Sequence, residues 1–416
     1  MLKLNHQFKA NFALKTESLK RAPVLSLLVV CAVILSALPA KADTNFRAFL
    51  ESVWPEAKRA GVSRSIFKQA IGGITPDPSI MKSQSSQPEF VSPVWAYIDR
   101  AVSETRLEAG KKAKQEQNDL LKKISTRYGV EHQILLAIWG LESTFGKNKG
   151  QKDVIRSLAT MAYKGGRKSY GRKQLIAALK ILQKGDIALS EFKGSWAGAM
   201  GHTQFIPGTY NHYAVDFTGD GQRDVWNSVA DALASTANYL KKSGWETGKT
   251  WGYEVKLPPG FNYSLSGWGK KKPLYIWEKM GIKRVNGRRF PRPADAGELI
   301  LPAGAQGPAF LVLKNFRVLM RYNKSVSYVL AVGHLGDRLL GYGPFVQSWP
   351  KEDRLLKYVE QKEIQRLLQQ KGYNVGKIDG KMGGRTKKAI RAFQKRKGLP
   401  ADGHPSYALL QALKRS

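Results

Sequence analysis

A chain of 416 residues with 42% hydrophobic content is long enough for two or three domains and a sizeable core, which excludes a disordered tail. A formal charge of +36 points to polyanionic partners: nucleic acid for a cytosolic chain, cell wall or membrane surface for an exported one. The only cysteine, Cys31, leaves no disulfide within the chain.

The amino-terminal segment has a basic lead with Lys15, Lys20 and Arg21, an apolar stretch over 24–38, and Ala40-Lys41-Ala42, a small-residue cleavage pattern. The apolar stretch is short of the roughly 20 residues a membrane span needs. Residues 1–42 are therefore predicted to be a secretory signal cleaved near Ala42, giving a periplasmic protein with no transmembrane anchor, rather than a retained anchor. Val29-Val30 ahead of Cys31 lacks the small residues that a lipid-anchored cleavage site favours. Cleavage removes six lysines and arginines and one glutamate, so the charge falls from +36 to +31.

From position 43 to about Leu107 the sequence reads helical, with turns at Gly72-Gly73 and 76–78 and a Ser-rich connection at 83–86. Residues 108–129 look like one charged helix. An uncharged run follows, Ile134, Leu135, Leu136, Ala137, Ile138, Trp139, Gly140 and Leu141; it ends at Glu142, with Phe145-Gly146 as a helix stop. Residues 167–189 show helical spacing, 195–210 bring glycines suited to close backbone approach, and 228–241 form another helix stopped by Gly244. Between 251 and 322, proline, glycine and β-leaning runs such as ELILPAG and AFLVLKNFRVLMRY predict a small sheet inserted into a helical body. A Gly/Pro-bearing connection at 341–352 leads to a separate unit: a helix ending at Lys371-Gly372, a glycine loop, a helix over 386–397, the turn GLPADGHP and a last helix near 407–413.

No metalloprotease HExxH, phosphate loop, dinucleotide fingerprint or paired-CxxC pattern is present, and the six histidines are scattered. Glu142 is the residue best placed for acid–base work. A carboxyl bordering a core is pushed toward its neutral form, and a neutral acid near pH 7 can give a proton; a structural glutamate at a helix end stays open as the alternative. DFTGDGQRDVWN places Asp216, Thr218, Asp220, Gly221 and Asp224 at calcium-loop spacings, with Asn227 where an EF-hand needs glutamate.

ILLAIWGLESTFG, SWAGAMGHTQFIPGTY, DFTGDGQRDVW, ANYL and MRYN, in that order across about 45–345, resemble the MltB-like family of lytic murein transglycosylases, with an SLT type 2 domain. The resemblance implies a mainly α, α+β fold: a lysozyme-like catalytic domain at 43–350 with a small β-rich insertion. It also implies that Glu142 alone protonates the glycosidic oxygen between N-acetylmuramic acid and N-acetylglucosamine, then takes the proton of the muramic C6 hydroxyl to leave a 1,6-anhydro sugar. Ordinary glycosidases pair two carboxylates; here the substrate's own hydroxyl replaces water. Ser195, Gln204, Tyr239, Tyr322 and Asn323 match residues lining that cleft, against plainer readings of Ser195 as a cap, Tyr239 as a core aromatic and Asn323 as a turn residue.

No cofactor is required. Some relatives close a structural calcium loop with a downstream acid, whose counterpart is Asp231; Ser228 and Asp231 also fit a capping pair needing no metal. Residues 351–416, through IQRLLQQKGYNVGKIDGKMGGRTKKAIRAFQKRKGLPADG, resemble a three-helix peptidoglycan-binding domain of type 1, with Met382 where phenylalanine is common. The expected partner is therefore peptidoglycan glycan strands, not nucleic acid. A hydrolytic muramidase and a noncatalytic wall-binding scaffold are the alternatives.

Overall fold

The computed structural model describes residues 44–83 and 92–416, so the predicted leader at 1–42 and all but the first residue of the Ser-rich connection lie outside the described residues. Helices Thr44–Glu51, Trp54–Arg59, Arg64–Ile71, Pro78–Ser83 and Val94–Ala101 come first. The helix read over 108–129 is instead two, Glu104–Glu116 and Asn118–Tyr128. Gln117, at φ −108 and ψ 16, breaks them and turns Leu121, Ile124 and Tyr128 toward the helix Val229–Lys242.

Helix His132–Ser143 carries Glu142 in its last turn. Ile134 through Gly140 are buried, and the helix packs against Val326–Leu339, Glu104–Glu116, Asn118–Tyr128 and Val229–Lys242. Each large apolar side chain so enclosed contributes about 1.5–3 kcal/mol, so the buried run anchors the acid that follows it. Helix starts follow local chemistry: Ser63, Ser103, Asp153, Ser228 and Ser325 each accept from the backbone N–H three residues on, satisfying a donor with no partner inside the helix.

Two short strands, β1 (Lys152–Asp153) and β2 (Lys193–Gly194), pair antiparallel. Single bridges Gly194 to Met200 and Met200 to Phe205 extend them and fold the 195–206 segment back on itself. The predicted insertion is an antiparallel five-stranded sheet built from β3 (Gly252–Lys256), β4 (Lys272–Pro273), β5 (Lys283–Arg284), β6 (Ala296–Ile300) and β7 (Ala309–Val312). The strand order is β4-β6-β7-β3-β5. Both edges are two residues long and Pro273 lies on one of them, where a missing donor is tolerated. Trp277 and Leu274 fill the core against this sheet.

The run AFLVLKNFRVLMRY is only partly β. After β7 the chain forms the helix Lys314–Tyr322, because Phe316 and Leu319 are buried while Lys314, Arg317 and Arg321 recur on the exposed side at helical spacing.

Helices Tyr358–Gln370, Gly384–Arg396 and Tyr407–Lys414 enclose a core of their own, including Ile364, Leu368, Ile390, Phe393, Leu410 and Leu413. Two buried amides hold its loops. Gln365 Oε1 accepts from Gly380 N at 2.7 Å, while Nε2 donates to Lys381 O at 3.1 Å. Gln394 Oε1 accepts from Gly403 N at 2.9 Å, while Nε2 donates to Asp402 Oδ1 at 2.7 Å. Gly380 and Gly403 both take the left-handed conformation, at φ 74 and φ 73. Gln365→Leu strands the Gly380 amide and Lys381 carbonyl, an expected cost of about 2–4 kcal/mol. Faster hydrogen exchange over 376–386 would report it; unchanged exchange there would refute this account of the loop.

Candidate active site

Immediately after Glu142 the chain does something costly. Thr144 and Phe145 take left-handed φ values of 52 and 56, followed by Gly146 at 84; for the two side-chain-bearing residues the strain is about 1–3 kcal/mol each. Neighbouring contacts hold it. Phe145 folds back over Gly140, where an added Cβ would lie 2.6 Å from its ring. Ser143 Oγ donates to His202 O at 2.6 Å and accepts from Gly146 N at 2.9 Å. Trp139 Nε1 donates to His202 Nδ1 at 3.0 Å, and Gly146 lies so close to that ring that a Cβ would come within 2.4 Å. The end of the Glu142 helix is thus fixed to the 195–206 loop. Gly201 passes Val225 O equally tightly, with a Cβ approach of 2.2 Å.

Glu142 itself is half-buried, and Tyr328, near the start of Val326–Leu339, donates its hydroxyl to Glu142 Oε1 at 2.6 Å. Burial first, then the Glu142 charge, holds the Tyr328 phenol well above its ordinary range, so it stays protonated as a donor. Tyr322 stacks parallel to Tyr328 with ring centroids 6.5 Å apart and is raised by the same two causes. Tyr239 meets Tyr322 edge-on at 5.3 Å, and Phe205 touches both. The sequence reading missed Tyr328, whose contact with Glu142 spans 186 residues of chain; Ser325 accepts from Tyr328 N at the start of its helix.

The structure brings Tyr239 and Tyr322 together but spends their hydroxyls on backbone: Tyr239 donates to Arg321 O at 2.8 Å and Tyr322 to Thr203 O at 2.5 Å. Gln204 has a left-handed φ of 52 and donates from Nε2 to Lys149 O and Gly201 O at 3.0 and 2.9 Å, which leaves Oε1 to accept. Asn323 Oδ1 accepts from Ser325 N at 3.1 Å, a local turn that leaves its amide N–H groups as donors. Ser195 Oγ accepts from Ala197 N and Ala199 N at 3.3 and 3.0 Å, so it braces its own turn and keeps one hydroxyl proton to give.

In the acidic loop, Asp216, Asp220 and Asp231 each place a carboxylate oxygen within 4.8 Å of the others. The other two predicted ligands do different work. Thr218 donates to Asp216, and Asp224 Oδ1 accepts from Trp226 N and Asn227 N. Asp231 is fully buried and accepts from Phe217 N, Thr218 N and Asp224 N, so it organises the loop from within while Ser228 caps its helix. Three carboxylates with glycines at 219 and 221 suit a hard cation.

Residues 45–337 match the family described as the transglycosylase SLT domain, and residues 359–413 match the putative peptidoglycan binding domain. Over 232 residues the chain is 32% identical to membrane-bound lytic murein transglycosylase B of Escherichia coli, covering 53% of this chain and 60% of that curated relative. The structure is similar to SltB3 from Pseudomonas aeruginosa, solved in complex with NAG-anhNAM-pentapeptide. The TM-score is 0.85 at 48% identity, covering 89% of this chain and 99% of that one. It is also similar to Escherichia coli Slt35, solved in complex with calcium, with a TM-score of 0.60 at 26% identity over 71% of this chain and 92% of that one.

Burial pushes the His202 imidazole down to about 4, with Lys149 adding to the effect, so it is neutral and free to accept from Trp139. An unfolded histidine takes its proton near 6.5. Between about 6.5 and 4 the unfolded chain binds a proton that folded His202 refuses, so stability falls as pH falls through that window, by on the order of 1–3 kcal/mol. His334, also lowered to about 4 by burial, works in the same direction; Asp337, raised to about 7 by burial, works in the opposite one. The test is the difference between wild type and His202→Phe in urea unfolding at pH 7 and pH 4.5, where the variant should show the weaker loss on acidification. Equal losses would contradict the assignment.

Proposed function

Since this chain belongs to the transglycosylase SLT domain family, we propose that it is an exported lytic transglycosylase of peptidoglycan. Residues 43–350 act as its catalytic domain, residues 351–416 as its wall-binding domain, and the periplasm is its working compartment after cleavage near Ala42. The observation that carries the reading is the Tyr328 hydroxyl on Glu142 Oε1 at 2.6 Å. A half-buried carboxyl, oriented by a donor that stays protonated and fixed at a helix end by Ser143 and His202, is suited to a proton given and then retrieved.

In this mechanism Glu142 gives its proton to the oxygen joining N-acetylmuramic acid to N-acetylglucosamine as the bond to the muramic C1 breaks. The resulting carboxylate then accepts the proton of the muramic C6 hydroxyl while that oxygen bonds to C1. The glutamate regains its proton, no water is consumed, and a 1,6-anhydro end remains. The substrate's acetamido group can assist at C1, which accounts for a chemistry that needs one carboxylate where ordinary glycosidases use two. Gln204 Oε1 accepts from, and the Asn323 amide donates to, the sugar acetamido groups; the Ser195 hydroxyl donates from the same 195–206 loop as Gln204. Tyr239 and Tyr322 wall the cleft with their rings. Basic residues and the C-terminal unit keep the enzyme near its polymer, raising the effective substrate concentration.

The acidic loop fits calcium in a structural role, with Asp216, Asp220 and Asp231 as its carboxylate ligands. Added Ca2+ should raise the melting temperature of wild type and not of Asp216→Asn/Asp220→Asn; an equal shift in both would remove the site from consideration.

Mass spectrometry of soluble products from peptidoglycan digested by residues 43–416 decides the reaction. Anhydromuropeptides are expected from wild type and none from Glu142→Gln. Products one water heavier would make it a hydrolase, and binding without products a scaffold. Tyr328→Phe should lower kcat by about 10- to 100-fold with KM little changed, because it removes a hydrogen bond to the acid and no substrate contact.

A further inference from the structure

A cleft of about 630 Å³ lies where the sheet insertion and the start of Val326–Leu339 face the C-terminal helices. One wall carries Trp268, Lys270 and Ser327; the other carries Lys387, Arg391 and His404. Its floor is a fixed contact. Asp402 Oδ2 accepts from Ala305 N at 2.7 Å, and Gly304 passes so near that a Cβ would lie 2.7 Å from that oxygen.

Three cations converge here. Lys270 and Lys387 are exposed residues, each lowered first by partial desolvation and then by the charge of Arg391, and Arg391 Nε is buried with no hydrogen-bond partner. Among the described residues none of the three forms an ion pair. Asp402, the acid of the floor, lines the cleft with them, its oxygens accepting from Ala305 N, His404 N and Gln394 Nε2. Like charges lining one cleft repel, and an anion entering between them relieves that repulsion. The space is far larger than an inorganic ion needs, and its lining includes an apolar part: Ile300, Leu301 and Val326, with Trp268, 42% exposed and braced by the Arg317 guanidinium 3.9 Å from its ring. The fitting occupant is an anion with an apolar body. Ser327 also stands next in the chain to Tyr328, which holds Glu142.

We propose that this cleft is a subsite for the carboxylate-bearing stem peptide of peptidoglycan, with Lys387 and Arg391 meeting the carboxylate and Trp268 packing against the peptide. The assignment rests on the proposed peptidoglycan substrate. It makes the wall-binding domain and the sheet insertion two halves of one recognition surface.

Calorimetry on residues 43–416 bearing Glu142→Gln, which prevents turnover, tests it with two probes: a disaccharide pentapeptide and the same molecule with its carboxylates amidated. The free carboxylate form should bind about tenfold more tightly at low salt, and the ratio should shrink with added salt. Lys387→Gln/Arg391→Gln should bring the ratio to within about twofold, whereas Lys387→Arg/Arg391→Lys, which keeps both charges, should preserve it. Equal affinity for the two probes in the parent, or an unchanged ratio in Lys387→Gln/Arg391→Gln, would overturn the proposal. Failure of the enzymatic reading is separate, since it would show as absent anhydro products from wild type whatever this ratio is.

Discussion

Everything at the candidate site depends on the lock between the end of the Glu142 helix and the 195–206 loop. Trp139 to His202, Ser143 to His202 O and Gly146 to Ser143 are three hydrogen bonds made within eight residues of chain on the helix side. They hold two non-glycine residues in a left-handed conformation that neither would choose alone. The strain has a geometric product: the chain leaves the helix at once, so half-buried Glu142 ends the buried run instead of being followed by another helical turn. Gly140, Gly146 and Gly201 are glycines because a ring or a carbonyl occupies the place of their Cβ.

A second constraint works from the opposite side. Phe205, Tyr239, Tyr322 and Tyr328 form a continuous aromatic pillar, and its hydroxyls are divided by task. Two tie the pillar to the backbone at Arg321 and Thr203, and the third is given to the acid. The pillar joins three elements distant in sequence, the 195–206 loop, the helix Val229–Lys242 and the segment from Tyr322 to Tyr328. Substitution of one ring therefore moves the support of the next, and coupled effects are expected among them.

The place of Glu142 at the end of a buried helix was legible because eight uncharged residues precede it, while its catalytic role came from the family resemblance. The helical body, the inserted sheet and the three-helix unit were legible from periodicity and from glycine and proline punctuation. Tyr328 was not, because its importance lies in a contact 186 residues away in sequence and a lone tyrosine near a helix start carries no local signature. The break at Gln117 was hidden because it falls in the polar stretch 114–119, which contains no proline or glycine to mark a stop. Lys314–Tyr322 was misread because Phe, Val and Leu satisfy both strand and helix preferences, and only the recurrence of basic residues on the outer face separates them. The acidic loop was half-legible: spacing found Asp216 and Asp220, but whether Thr218 and Asp224 face inward or cap a turn is set by backbone geometry that spacing does not encode.

The paired buried glutamines give the C-terminal unit an internal symmetry. Gln365 with Asp379-Gly380 and Gln394 with Asp402-Gly403 repeat one arrangement, an apolar residue and a glutamine on a helix whose amide receives the N–H of a left-handed glycine after an aspartate. The unit thus reads as a duplicated helix-and-turn element closed by Tyr407–Lys414. Both amides are buried against one core that all three helices share, so each half of the unit shelters the hydrogen bonds of the other. The two aspartates differ in reach: Asp402 also accepts from Ala305 N, while Asp379 accepts within its own loop from Lys381 N.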